Sequence, residues 1–325
     1  MFARTLAATA CAAVVALVGT SATAQPAWPT KPVTFIVPFP PGGSVDPLAR
    51  LVGSKLSESL KQQFIVENRP GAAGSIGAAH AAKAAPDGYT WLFVFDSHAV
   101  NPFLIPDLKF DTVKDLAPVT LVGTAPMAIA TAPNKPYRSF DDVVKAAKAK
   151  PGSINYGSIG SGSLGHLTMT LVQQAAGVDL VHVPYRGGGP MTVDAIGGHV
   201  EIAIGSVSVL APHVKGGKLR AIAVTGDKRT QVFPEVPALA EVGFPGFSAL
   251  AWWAIFAPAG TPQPILDKFH AEVVKALRSP DVHKTLSESL GMDVVASTPE
   301  QLRQFFANEM QRWGKVVKEH NIKQD

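Results

Sequence analysis

Five short stretches of this chain gather glycine, serine and a few aromatic or charged side chains in the pattern that a backbone-donor ligand site needs. The first runs Phe39-Pro40-Pro41-Gly42-Gly43-Ser44-Val45-Asp46-Pro47. Glycine tolerates a tight turn and leaves its amide exposed, so Phe39, Gly43 and Ser44 are candidate ligand contacts. A helix opening here carries about half a positive charge at its first turn, which favours an anion. Asp46 before Pro47 reads as an N-cap followed by proline at the first helical position, with direct ligand contact as its second reading. The second stretch, from Tyr156 to His166, supplies Ser158, Gly160, Ser161, Ser163 and His166. The third, from Val183 to Pro190, sets Tyr185 and Arg186 beside Gly187 and Gly188. A guanidinium can grip a carboxylate with two parallel N–H groups, and a tyrosine can pack on a flat ligand while donating its hydroxyl. A fourth, Phe95 to Asn101, brings Ser97 and His98, and a fifth, Gly205 to Ser208, brings Ser206. A lining of this kind binds a carboxylate through neutral donors. Each such bond contributes only about 0.5–1.5 kcal/mol net, so several must converge.

The same residues do not spell an enzyme. The hydrolase elbow G-x-S-x-G and the phosphate loop G-x-x-x-x-G-K-[ST] are both missing. Gly160, Gly162 and Gly165 satisfy G-x-G-x-x-G, but no acid stands at the end of the next strand, where a ribose would need one. The nine histidines show no H-E-x-x-H and no cysteine partners, so no metal site is expected. An exported α/β esterase using Ser161 or Ser163 with His166 is the competing reading. A sensor that presents its ligand to a signalling protein is a third.

Strands and helices alternate along the chain and so place these stretches. Val33–Val37 is an apolar strand that runs into the first glycine turn, and a helix follows with Leu48, Leu51, Val52, Leu56 and Leu60 on one face. Strands at 64–66 and 90–95 flank an alanine-rich helix at 76–85. A second series begins after 119–131: helices at 140–148, 166–176, 190–196 and 209–215 between strands at 154–156, 180–183, 200–204 and 219–224. Such alternation indicates parallel βαβ units, and hence an α/β fold in two lobes. Ligands of open parallel sheets sit beyond the carboxyl ends of the strands, where these glycine turns fall. The apolar stretches 119–131 and 249–257 are candidates to cross between lobes. That gives a discontinuous first lobe, 25–125 with 249–325, and a second lobe at 126–248. Helices near 264–278 and 298–318 return to the first, and Trp252-Trp253 reads as hinge or core, with lining the cleft as its second reading.

Composition narrows the setting. Residues 1–24 read as a signal peptide, with Arg4, an apolar run from Leu6 to Val18, and Ala22-Thr23-Ala24 as the cleavage site. The only cysteine, Cys11, lies inside it, so the mature chain forms no disulfide. Without Arg4 the chain holds 28 Lys+Arg against 25 Asp+Glu, a net charge of +3 that is too mild and too scattered for nucleic acid.

Taken together, these motifs resemble the periplasmic receptors of tripartite tricarboxylate transporters, the Bug-type (Bordetella uptake gene) proteins. The resemblance rests on Trp28-Pro29-Thr30-Lys31-Pro32-Val33, Val37-Pro38-Phe39-Pro40-Pro41-Gly42-Gly43, Val66-Glu67-Asn68-Arg69-Pro70-Gly71, Pro86-Asp87-Gly88-Tyr89-Thr90 and Val183-Pro184-Tyr185-Arg186-Gly187-Gly188, and on their order. It implies a two-lobed periplasmic binding protein of the type II Venus-flytrap kind, with two doubly wound α/β lobes joined by crossing strands. It also implies a monomer without cofactor, a small organic carboxylate as ligand, and integral-membrane transporter subunits as partners. One departure matters. Where many relatives carry an aromatic-acidic pair, Gly205-Ser206 stands, so an ammonium group loses its partner and plain carboxylates are expected rather than amino acids.

Overall fold

The computed structural model describes residues 28–289 and 291–323. The expected signal peptide and Cys11 lie outside the described residues. In chain order the elements are β1 (Val33–Val37), α1 (Val45–Leu60), β2 (Phe64–Asn68), α2 (Ser75–Ala82), β3 (Thr90–Phe95), α3 (Ser97–Leu104) and β4 (Leu116–Thr131). There follow α4 (Phe140–Ala149), β5 (Asn155–Ser158), α5 (Leu164–Ala176), β6 (Val181–Pro184), α6 (Gly188–Gly197), β7 (Ile202–Ser206), α7 (Val207–Lys215) and β8 (Arg220–Val224). The chain closes with β9 (Leu250–Pro258), α8 (Gln263–Arg278), α9 (Pro280–Lys284), β10 (Asp293–Val294) and α10 (Pro299–Glu319).

Strand pairing divides into two sheets that share β4. In the first, β2, β1 and β3 are parallel neighbours, and β9 then joins β3 to the N-terminal part of β4, antiparallel to both. In the second, β6, β5 and β7 are parallel, and β7 pairs antiparallel with Met127–Ala130 of β4, while β8 takes its other edge. β4 changes partners between Pro126, opposite Leu250, and Met127, opposite Ser206. It is therefore a crossing strand, as its long and mostly apolar sequence suggests. β9 differs from expectation, because all its partners belong to the first sheet. The return passage is made at Ala249, whose N–H donates to the carbonyl of Thr225 at 2.8 Å while the Thr225 hydroxyl donates back to the carbonyl of Ala249.

Period-two alternation explains why helices cover both faces of the first sheet. Phe35, Phe93, Trp253 and Ile255 share a core with α1 and α8, whereas Ile36, Leu92, Val94, Trp252 and Phe256 pack with α2, α3 and α10. Successive strand side chains point to opposite faces, so a strand apolar at both parities must be buried on both. In the second sheet Ala128, Ala130 and Ala203 meet Met191 and Leu210 on one face. Ile129, Ile202 and Ile204 join the larger core with Phe140 and Leu167 on the other.

The helix α3 was expected as a loop. It is only eight residues long and contains Pro102, so local propensity argues against it. Packing against α10 overrides that, burying His98, Val100 and Asn101. No helix among the described residues is long and apolar enough to cross a membrane.

Candidate functional site

The carboxyl ends of β1, β3, β5, β6 and β7 meet at one cleft of about 370 Å³ between the two sheets. Phe39, Gly43 and Ser44 line it from the first lobe, and Arg186, Gly187, Gly188 and Ser206 from the second. Strand geometry brings them together, since each lies on a turn leaving a parallel strand.

Three helices begin at this cleft, and none is capped by its own side chain. Ser44 stands at the N-cap of α1, but its hydroxyl accepts from Trp253 Nε1 at 3.1 Å rather than from a helix amide. α6 starts from Gly187 at φ 111° and ψ 175°, a conformation essentially confined to glycine. α7 starts from Ser206, whose Oγ lies 2.9 Å from Ser208 Oγ. By contrast Ser163 caps α5, accepting from the His166 amide at 3.4 Å. First-turn N–H groups left open in this way carry a partial positive charge and accept an anion.

Arg186 adds a full charge. It is exposed, lines the cleft, and makes no ion pair or hydrogen bond with another described residue. No aspartate or glutamate stands among the described lining residues. The rest of the wall is apolar, with Phe95, Met127, Ile159, Met191 and Val209. Phe95 packs edge-to-face on Phe39 at 6.2 Å and tilts against Trp253 at 5.2 Å. A second hollow of about 390 Å³ shares Gly42, Gly43, Ser44, Gly189 and Val209 and continues between Pro47 and the α6 and α7 side chains Val193 and Pro212.

Other residues singled out from sequence sit behind this wall. The Asp46 carboxylate accepts from Arg50 Nη2 at 2.9 Å and from Asn68 Nδ2 at 2.9 Å, and Asn68 Nδ2 also reaches the carbonyl of Phe39 at 3.1 Å. Burial alone would raise its pKa, but the hydrogen bonds from Arg50 and Asn68 and the charge of Arg50 bring it below the usual carboxylate value. Asp46 thus braces the first glycine turn from beneath and leaves the capping position to Ser44. Ser158 is fully buried, and its hydroxyl lies 2.7 Å from His182 Nε2. The His166 ring stacks on His182 at 3.9 Å, and its Nδ1 accepts from the Gly162 amide at 3.0 Å. Of this stretch only Ile159 reaches the cleft; Ser158, Gly160, Ser161, Ser163 and His166 are not among its lining residues. The Tyr185 hydroxyl donates to Asp194 at 2.7 Å, and burial together with that carboxylate pushes its pKa up to about 12.

Ser97 and His98 lie in α3, away from the cleft lining. The Ser97 hydroxyl donates to the carbonyl of Ala73 at 3.0 Å. His98 stacks near Phe110 and Phe306, and burial lowers its pKa to about 3, so the ring is neutral. Asp96, next in the chain to the lining residue Phe95, is 1 % exposed, and its carboxyl oxygens have no side-chain partner among the described residues and only weak help from the backbone amides of Ser97 and of Asp96 itself. Burial holds its pKa well above the usual range, and the nearby Glu309 adds to the effect. Sequence reasoning passed over the apolar wall of Phe95, Met127, Ile159 and Met191, although Phe95 and Ile159 lie within stretches it had marked.

Two α/β lobes sharing a strand, with open helix N-termini facing across a cleft, define a solute-binding receptor of the periplasmic binding protein fold. The chain belongs to the tripartite tricarboxylate transporter family receptors, whose family model matches residues 48–322. It is 39% identical to the protein BugT of Bordetella pertussis over 298 residues, 91% of each chain. Among solved structures it is similar to an R. palustris protein with adipate, at 33% identity and a TM-score of 0.87, covering 91% of this chain and 99% of that one. It is also similar to MatC from Rhodopseudomonas palustris with bound malate, at 32% identity and a TM-score of 0.81, covering 89% and 100%. The protein is accordingly a binding receptor and not an enzyme, and the esterase reading falls.

Proposed function

We propose that this receptor is exported to the periplasm, loses its leader near Ala24, closes as a monomer around a small organic carboxylate, and delivers it to integral-membrane transporter subunits. The observation that carries the reading is the meeting of the open N-termini of α1, α6 and α7 with Arg186, which has no ion pair with another described residue, in a cleft without acidic side chains among its described lining residues. One carboxylate sits against the amides of Gly43, Ser44, Gly187 and Gly188, with the Ser44 and Ser206 hydroxyls beside it and Phe39 covering it. Ser158, Ser161, Ser163 and His166 shape the wall that holds Ile159, while Asp46 and Tyr185 hold the two glycine turns in place. The first lobe comprises 25–125 and 249–325 and the second 126–248, a division supported by the partner change of β4 after Pro126 and by the Thr225–Ala249 pairing. The bound adipate and malate of the two relatives are of the same ligand class.

Thermal shift of the mature protein against a panel of organic acids tests this. A ligand at one hundred times its Kd stabilises by about 2.7 kcal/mol, which moves the melting midpoint by several degrees. At least one carboxylate should do so, and a flat response across the panel would remove the proposal.

A further inference from the structure

Outside the cleft, two acidic side chains are gathered under one helix. Asp96 directly follows Phe95, and period-two alternation turns its side chain to the sheet face of Leu92 and Val94. α10 covers that face and the start of α3, with the His98 ring 5.4 Å from that of Phe306. Glu309 lies three residues beyond Phe306, on the same side of α10. Its Oε2 accepts from Trp252 Nε1 at 3.1 Å and from Trp313 Nε1 at 2.8 Å.

The donors of this region are already committed. Both indoles serve Glu309, while Ser97 gives its hydroxyl and Asn101 its amide to the carbonyl of Ala73. His98 is neutral, and its Nε2 and Asn101 Oδ1 are without a partner among the described residues. β1 and β9 contribute Ile36, Trp252, Ala254 and Phe256, and α2 contributes Ala78 and Ala81 while its His80 is exposed. Arg312 of α10 donates to the carbonyl of Ser248 and stacks over Trp313, so its charge favours Glu309. Asp96 itself has only weak help from the backbone amides of Ser97 and its own residue. A buried carboxyl in such a setting keeps its proton, because the ionised form would carry a charge that nothing balances.

We propose that Asp96 and Glu309 form a buried proton-binding site that holds one proton at neutral pH, and that α3 leaves α10 only by giving that proton up. Glu309, with two indole donors, carries the negative charge, and Asp96 carries the proton. Burial raises the pKa of both carboxyls, and the charge of Glu309 raises that of Asp96 further. α3 begins one residue after the cleft-wall residue Phe95 and ends at Leu104, which lies where a Cβ on Gly162 of the second lobe would come within 1.9 Å. The proton therefore steadies the part of the first lobe that carries a wall residue and touches the second lobe. Once opening exposes Asp96, its pKa returns to about 3.9, so the opened form is ionised above about pH 5. Opening should then become about tenfold easier with each pH unit, up to the folded pKa.

Amide hydrogen exchange on the ligand-free mature protein, corrected for the intrinsic pH dependence of exchange, reads this opening. In the wild type the opening constant of α3 amides, such as that of Ala99, which donates to the Asp96 carbonyl at 3.1 Å, should rise about tenfold per pH unit. Asp96→Asn should abolish that rise. Glu309→Gln keeps an oxygen for the indoles but loses the charge, so the rise should end at a lower pH. Carbon-13 NMR of the aspartate carboxyls in the wild type needs no variant to fold: one aspartate should remain protonated at about pH 7. The proposal is overturned if every aspartate is ionised there, if Asp96→Asn keeps the wild-type slope, or if Glu309→Gln leaves the end of the rise in place. It is also overturned if sodium or calcium ions raise the melting midpoint of the wild type but not of Asp96→Asn, since a metal ion would then balance the charge. No solute enters these measurements, so their outcome is separate from that of the carboxylate reading.

Discussion

Gly187 offers a way to separate the backbone of the site from its side chains. Its φ of 111° and ψ of 175° lie where only glycine is at ease, and an added Cβ would find nothing within 4 Å. Gly187→Ala therefore creates no clash, and its whole cost is backbone strain of about 1–3 kcal/mol. At about 2–4 °C per kcal/mol for a chain approaching this size, the melting midpoint should fall by roughly 2–12 °C. If the turn relaxes instead, the amides that open α6 rotate out of the cleft. Losing one hydrogen bond to a charged carboxylate, about 1.5–3 kcal/mol, would weaken adipate about 10- to 150-fold. Gly177→Ala is the control. Gly177 ends α5 at φ 63° and ψ 46°, also has open space around its Cβ, and is absent from the cleft lining. It should cost about 1–2 kcal/mol and leave the Kd alone. Differential scanning calorimetry and titration calorimetry on both variants read the two effects. The argument is refuted if Gly187→Ala keeps both midpoint and affinity, or if Gly177→Ala weakens binding equally.

Two further substitutions probe the support of the site. Asp96 is buried with no side-chain partner among the described residues, and its folded pKa is raised above the unfolded value, so ionising it disfavours the folded state. Stability should be greatest below about pH 4 as far as this group is concerned and fall as pH rises toward the folded pKa. Asp96→Asn should remove that part of the pH slope and gain about 1–3 kcal/mol at pH 7.5, read by urea unfolding at pH 4.5 and 7.5; a loss of stability at the higher pH would contradict it. Gly162 presses on α3: an added Cβ would stand 1.9 Å from Leu104 Cδ1 at a φ of 73°. Gly162→Ala should cost at least about 1–3 kcal/mol, and Leu104→Ala in the same chain should recover part of it. Strict additivity in the double-mutant cycle would show that the two lobes do not bear on each other there.

Much of the architecture was legible in the chain, because periodicity reports burial directly. Val33–Val37 and Thr90–Phe95 are strands with those bounds, and the second βα series follows in the expected order. The turns rich in glycine were legible for a related reason: few other residues adopt φ 111°, so Gly187 marks a position whose geometry is special before any contact is known. Less legible was what each turn faces. The stretch from Ser158 to His166 is the densest in glycine and serine, yet its polar groups are spent within its own lobe on His182, Gly162 and the cap of α5. α3 was hidden because its helicity comes from burial against α10, which lies about two hundred residues away in the chain and has no local signature.

Sequence by itself determined the class of fold, the order of its elements and the turns available to bind an anion, since these follow from local periodicity and from the conformational freedom of glycine. Only the tertiary structure decided which of those turns share a cleft, that Asp46 and Ser158 are hydrogen-bonded outside its lining, and that Phe95, Met127 and Met191 line it together with Arg186. Those assignments depend on how two sheets joined at Pro126 and Met127 are turned toward each other, a relation between distant residues that no local pattern encodes.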